Sequence, residues 1–351
     1  MSYPPRRPTT KDKDRISLSA SKDRGRVAPT MDDSSLPLTP ASAGYYFSNL
    51  KPRTIHEAGR NITIKDMNWS PPGTRVACAL SDKLVRVWNP DKPEVRNSTE
   101  LKGHTMPPCA VVWNPTHSDL LASCSPDGTV RFWDYRIKAS LGVVATGGEN
   151  IALAWHPSGE TVVVATRDDK LYIITTATKT ISNMHSLPTS VHSVMFSNNG
   201  ETLLLSTVEG TVLFYSFPDL KPIHSIEAHA SAALCMELDQ RGVHLAVGGS
   251  DAVVGIWDTN EWICTRMLRG MDAPVKSVGF SFDGQFICAG SDEKDSHDIQ
   301  IVHVDSGDVV HTYHTPHPVT NVKWHPHRYT LAYSGDPSGM RIILQSNDML
   351  K

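Results

Sequence analysis

A bulky residue followed by a turn recurs along this chain at Trp69 (WSPPG), Trp113 (WNPTH), Trp155 (WHPSG), Phe196 (FSNNG), Leu238 (LDQRG), Phe280 (FSFDG) and Trp324 (WHPHR). The successive intervals are 44, 42, 41, 42, 42 and 44 residues. A second marker, a β-branched or aromatic run, follows each turn: LVRVWN, TVRFWD, KLYIIT, TVLFYS, VVGIWD, IQIVHV and MRIILQ. Two markers keeping one period over seven copies restrict the chain to a repeat architecture, in which each unit needs its neighbours to bury its apolar face. Runs such as CAVVW, LLASC and TVRFW have strand length and are separated by Pro, Asp, Asn and Gly turns. Helical periodicity is absent.

The period falls in the range of WD repeats, where each unit is a four-stranded propeller blade. The expectation is therefore an all-β, seven-bladed WD40-type β-propeller over residues 45–351, preceded by a disordered basic tail over 1–44. The last copy, MRIILQSNDMLK, supplies a third strand and then ends. Its missing outer strand is expected from RTIHEA, Arg53–Ala58, at the start of the propeller region. Such closure removes an exposed edge. Truncation past about residue 50 should then unfold the ring, whereas loss of residues 1–40 should not.

Residues 1–44 carry eight Lys/Arg (Arg6, Arg7, Lys11, Lys13, Arg15, Lys22, Arg24, Arg26) against five Asp, leaving 26 against 32 in the remainder. The tail is rich in Pro, Ser and Thr and cannot bury enough apolar surface to offset ordering entropy. Its basic residues are too dispersed to define an import signal, and Thr39-Pro40 is a candidate phosphorylation site. The acidic remainder lacks the basic field that sequence-independent nucleic-acid binding requires. No run approaches the length of a membrane span, and the N-terminus has no apolar signal region. The expected compartment is the cytoplasm or the nucleus. Six cysteines without a CxxC pair read as small core residues.

The Gly-His and Trp-Asp markers have a structural role. In blade two, His104, Ser123 or Ser125, Asp127 and Trp133 resemble the hydrogen-bonded tetrad of WD repeats. Blade five retains His229, Asp251 and Trp257; blade one retains Asp82 and Trp88 without a Gly-His. Repeat position accounts for His104 and His229 as core latches, and no H-x-x-x-H pair with further ligands suggests a metal. Phosphate-loop, GxSxG, HExxH and GxGxxG signatures are all missing. The expectation is no catalysis and no cofactor, with a rigid platform presenting loops. The candidate partner loops are Thr146, Gly147, Gly148, Glu149 and Asn150, together with Met271, Asp272, Ala273 and Pro274. Thr105–Pro108, Leu187–Ser190 and Thr315–Pro318 occupy similar places. The charged Ser291–Asp298 is a protrusion or a contact.

Val144–Asp169 (VATGGENIALAWHPSGETVVVATRDD), Ser216–Gly242 (SFPDLKPIHSIEAHASAALCMELDQRG), GGSDAVVGIWDTNEWICTR, DAPVKSVGFSFDG and VKWHPHRYTLAYSGD share a closer likeness. They resemble the family of WD-repeat subunits of the THO complex, part of the TREX transcription–export assembly. The likeness covers roughly residues 50–345 and includes loop residues that the propeller does not dictate. Blade one departs from it in lacking Gly-His. The resemblance implies a non-enzymatic nuclear scaffold that helps package messenger RNA for export. It implies contacts with the other THO subunits, a long helical one above all, and with export factors. Messenger RNA would be met only indirectly or through the N-terminal tail; neither a membrane nor a small-molecule substrate is implied. A rival reading is a substrate receptor of a cullin ubiquitin ligase, docking through Trp133-Asp134-Tyr135-Arg136. In that box only Arg136 is not already set by the repeat.

Overall fold

A computed structural model describes residues 38–55, 62–92, 94, 97–291, 298–335 and 339–345. The expected disordered stretch before residue 38 and most of Ser291–Asp298 therefore lie outside the described residues. Among the described residues, twenty-eight strands form seven four-stranded antiparallel sheets, each made of strands consecutive in sequence except the last. The seven-bladed β-propeller read from the period is the fold observed. Each blade runs outward from an inner strand that lines a central channel, as in Ile64–Trp69 of blade one and Val275–Phe280 of blade six.

Burial follows the strand's place in the blade. Second strands are near-continuous apolar runs because both their faces meet a neighbouring blade. Val76–Leu80 is buried throughout, and Thr161–Thr166 and Thr202–Thr207 are buried after their first residue. Outer strands are mostly exposed, as in Thr180–Ser186 of blade three. The core consists of seams between blades: Ala152, Val163 and Ile173 of blade three pack with Val191, Phe196 and Leu203 of blade four.

The ring closes through the N-terminus, three residues earlier than the sequence reading placed it. Leu50–Thr54 pairs antiparallel with Met340–Gln345, from Leu50 opposite Gln345 to Thr54 opposite Arg341. Of the expected Arg53–Ala58 strand, only Arg53 and Thr54 pair; residues 56–61 lie outside the described residues. Proline at position 52 falls within this strand, opposite Ile343. An outer strand accommodates it, because its missing N–H can face away from the sheet. Ile55 is buried and donates its backbone N–H to the Met340 carbonyl at 3.0 Å.

The second correction is a helix, Pro40–Ser48, that begins inside the stretch expected to be disordered. Thr39 is its N-cap and a proline stands in its first turn, where the absent N–H costs nothing. Phe47, fully buried, packs edge-on against Phe286, Trp324 and Tyr329, with ring centroids 5.3, 5.9 and 5.9 Å away. Tyr313 donates its hydroxyl to the Phe47 carbonyl at 2.6 Å, and the Leu38 N–H reaches the Tyr329 hydroxyl at 3.0 Å. The helix thus clasps blades six and seven. The ordered body reaches back at least to Leu38, so removing residues 1–40 would cut into it.

Candidate functional site

In blade two the four marker residues form one chain of hydrogen bonds. Trp133 Nε1–H donates to Ser123 Oγ at 2.9 Å, Ser123 Oγ lies 2.8 Å from His104 Nε2, and His104 Nδ1 lies 3.0 Å from Asp127 Oδ2. With the indole donating to the serine, the hydroxyl proton goes to the imidazole, and the imidazole's own proton goes to the carboxylate. Only the neutral Nδ1–H tautomer completes that relay. Burial holds the His104 pKa below its ordinary value despite Asp127 beside it. Burial alone would push Asp127 up; hydrogen bonds from the Thr129 hydroxyl, the Thr105 N–H and His104 outweigh it and hold the carboxyl at about 2. Of the two serines left open by the sequence, Ser123 is in the tetrad. Ser125 bonds the Met106 carbonyl at 3.0 Å.

Blade five brings together only part of the set. His229 Nδ1 lies 3.0 Å from Asp251 Oδ2, but its Nε2 meets the Val247 carbonyl at 3.0 Å. Val247 occupies the place of Ser123, each lying two residues along its strand from the leucine opposite the marker Trp. Without the hydroxyl, the Trp257 indole N–H is buried with no acceptor. In blade one, Asp82 accepts the Leu84 N–H at 3.2 Å, while Trp88 lies under the Arg86 guanidinium, 5.3 Å from the ring centroid. These two serve separate local contacts.

The partner loops are less open than their polarity suggests. Thr146 and Asn150 are buried: the threonine hydroxyl donates to Asn150 Oδ1 at 2.7 Å, and the Asn150 amide reaches the Ser125 and Thr129 carbonyls at 3.0 Å each. Gly147 and Glu149 face solvent, and Glu149 pairs with Arg167 at 3.1 Å. In the second loop Asp272 is exposed, whereas Met271 packs on the seam between blades five and six. Both loops join an outer strand to the next inner strand, so they share a rim of the ring, three blades apart.

The channel holds what the sequence reading missed. A cavity of about 780 Å³ is lined by residues including Lys65, Asp66, His192, Glu237, Lys276 and Lys323. Lys323 of blade seven forms an ion pair with Glu237 of blade five. Glu237 also accepts the Phe280 N–H at 3.2 Å, and Asp66 accepts the Val111 N–H at 2.8 Å. Channel carboxylates therefore lace neighbouring inner strands together. Burial raises the Asp66 pKa to about 6, partly opposed by the Val111 bond and by Lys323. The available signal was a charged residue within a strand expected to be apolar: IKDMNW, ALCMEL, NVKW. Also unforeseen, Cys109 and Cys124 bring their sulfurs within 3.4 Å. No group of three or more His, Cys, Asp or Glu able to hold a metal occurs among the described residues. No helix among them is long and apolar enough to cross a membrane.

In the Trp133–Arg136 box, Arg136 is committed locally. It donates to Asp134 at 3.0 and 2.6 Å and pairs with Asp119 at 3.0 Å.

Comparison with known proteins agrees with this architecture. The family described as WD domain, G-beta repeat matches residues 51–89, 96–134, 220–258 and 262–295. THO complex subunit 3 of Arabidopsis thaliana is 32% identical over 280 residues, covering 79% of this chain and 88% of that protein. WD repeat-containing protein AAC3 of Dictyostelium discoideum is 32% identical over 266 residues, covering 69% of this chain and 55% of that protein. The transcriptional corepressor LEUNIG_HOMOLOG of Arabidopsis thaliana is 25% identical over 233 residues, covering 66% of this chain and 29% of that protein. With the periodic blades and this likeness over most of both chains, the chain belongs to the family of THO complex subunit 3, a family of WD-repeat propellers.

Proposed function

We propose that this chain is a non-catalytic scaffold subunit of a THO-type complex in the nucleus, coupling transcription to the packaging and export of messenger RNA. The observation that carries this reading is the 32% identity with THO complex subunit 3 over 79% of the chain. The chemistry of the propeller is in keeping with it. The polar markers of blade two bond one another, and the channel carboxylates bond neighbouring strands, so both groups are used in holding the ring. What remains for partners is the surface. The rim bearing Gly147, Glu149 and Asp272 would dock the other THO subunits, the large helical one first. RNA would be reached through those subunits or through the N-terminal tail.

Affinity purification of the tagged chain at native expression, read by quantitative mass spectrometry, tests the proposal. It should recover the remaining THO subunits in near-stoichiometric amounts. Recovery instead of a cullin and its adaptor, abolished by Arg136→Ala, would refute it. The ligase reading is not adopted because the guanidinium it needs is already engaged by Asp134 and Asp119.

A further inference from the structure

A propeller leaves one outward-facing unpaired strand edge per blade, and unpaired edges recruit other strands unless they are guarded. Five of the seven edges here are guarded, each by an identifiable device. Blade one's outer strand, Thr99–Leu101, is three residues long and carries Glu100, paired with Arg86. Blade four's, Pro222–Glu227, has a proline and a terminal carboxylate. Blade five's, Cys264–Leu268, carries Arg266, which reaches over to the Asp305 carbonyl. Blade six's, Val309–His314, lies under the N-terminal helix, with Tyr313 bonded to Phe47. Blade seven's, Leu50–Thr54, carries Lys51, Pro52 and Arg53.

Blades two and three lack these devices. Their outer strands, Ala139–Ala145 (ASLGVVA) and Thr180–Ser186 (TISNMHS), are seven residues each and contain no Asp, Glu, Lys, Arg or Pro. They also display large apolar side chains: Leu141 and Val143 on one, Ile181 and Met184 on the other, between 39% and 48% exposed. The two strands are neighbours. The stem of Lys179, at the turn entering the blade-three strand, fills the space beside Gly142 of the blade-two strand, where an added Cβ would come within 2.2 Å of it.

On the blade-three strand a side chain takes up a backbone donor: the Met184 N–H is bonded by the side-chain oxygen of the adjacent Asn183 at 2.8 Å. An incoming backbone can exchange for such a local bond at little net cost. The charge at one end is also distinctive. Lys138 and Lys179 immediately precede the two strands, each at φ 55°. Neither has a carboxylate within ion-pair reach among the described residues.

We propose that the outer edge of blade three docks an extended segment of a partner protein. The segment adds as a fifth strand along Thr180–Ser186; it is uncharged and apolar at alternate positions, and acidic at the end that meets Lys179. Main-chain hydrogen bonds supply the attachment, and Ile181 and Met184 supply the selectivity. This goes beyond the assembly proposed above. It specifies the chemistry of a bound segment and stands or falls whichever complex the segment belongs to.

The test uses the full chain and a synthetic peptide of alternating Thr and Val ending in Glu. Its control is the same peptide N-methylated at alternate backbone nitrogens. Fluorescence anisotropy should show binding of the parent peptide, loss of binding by the methylated one, and slowed amide exchange confined to Thr180–Ser186. The double variant Ile181→Lys, Met184→Lys should weaken binding by about tenfold, the scale of losing an apolar anchor. Both positions are exposed, so its circular dichroism and unfolding midpoint should match the parent's. Failure of the parent peptide to bind, equal binding of the methylated peptide, or protection elsewhere on the ring would overturn the proposal. So would sedimentation showing that this edge pairs with a second copy of the chain.

Discussion

Ser123→Ala is the most informative single change, because one hydroxyl serves two buried partners. Ser123 Oγ lies 2.9 Å from Trp133 Nε1 and 2.8 Å from His104 Nε2, and the serine is fully buried. Removing it strands an indole N–H and an imidazole nitrogen where no water reaches. An orphaned buried group costs roughly 1–3 kcal/mol, so the pair should cost about 2–6 kcal/mol in all. Blade five is the internal reference. There Val247 already replaces the hydroxyl, and Trp257 carries an unmet N–H. Val247→Ser should accordingly change stability by no more than about 1 kcal/mol, since a new hydrogen bond to Trp257 offsets the removal of buried apolar surface. Urea unfolding followed by tryptophan fluorescence measures both, provided that the denaturant slope matches the parent's. A loss below about 0.5 kcal/mol for Ser123→Ala, the scale of an ordinary surface change, would refute the relay as a source of stability.

Three further changes probe other parts of the ring. Phe47→Ala removes a fully buried ring from the clasp over blades six and seven and should cost about 3–5 kcal/mol in the same unfolding assay. Gly249→Ala would place a methyl 2.3 Å from Asp251 Oδ1 and 2.5 Å from His229 Nδ1; the blade-five latch should open, and the unfolding midpoint should fall. Asp66 is protonated more readily in the folded chain, at a pKa of about 6, than in the unfolded one. Its contribution is therefore most favourable below the ordinary carboxylate range and is lost as pH rises through about 6, by on the order of 2–3 kcal/mol. Asp66→Asn, whose amide oxygen can still accept the Val111 N–H, should remove that share of the pH dependence. Comparing unfolding midpoints of the two proteins at acid and alkaline pH checks it.

What the sequence showed and hid follows from how each feature is encoded. Blade number and the tetrad of blade two are written as residue types at a repeated spacing, so they were legible without coordinates. The closing strand was placed three residues late because its register is set by Met340–Gln345, at the far end of the chain, and not by a local pattern. The helix at Pro40–Ser48 was hidden by its small residues and flanking polar stretch; its stability comes from Phe47 entering a pocket built by residues some 240–280 positions away. The channel network was hidden for the same reason. Lys323 and Glu237 are 86 residues apart, and only ring closure makes them partners. The partner loops were read from their place between strands, which does not show that Thr146 and Asn150 spend their polarity on the blade beneath.

On this structure the propeller is a preformed platform whose interior is complete before any partner arrives. Amide hydrogen exchange of the isolated full chain and of the chain within its purified assembly tests this most directly. Inner and second strands, such as Ile64–Trp69 and Thr161–Thr166, should be equally slow in both states, with new protection confined to loops, rims and outer edges. Inner strands that exchange freely in isolation and slow only in the assembly would contradict it.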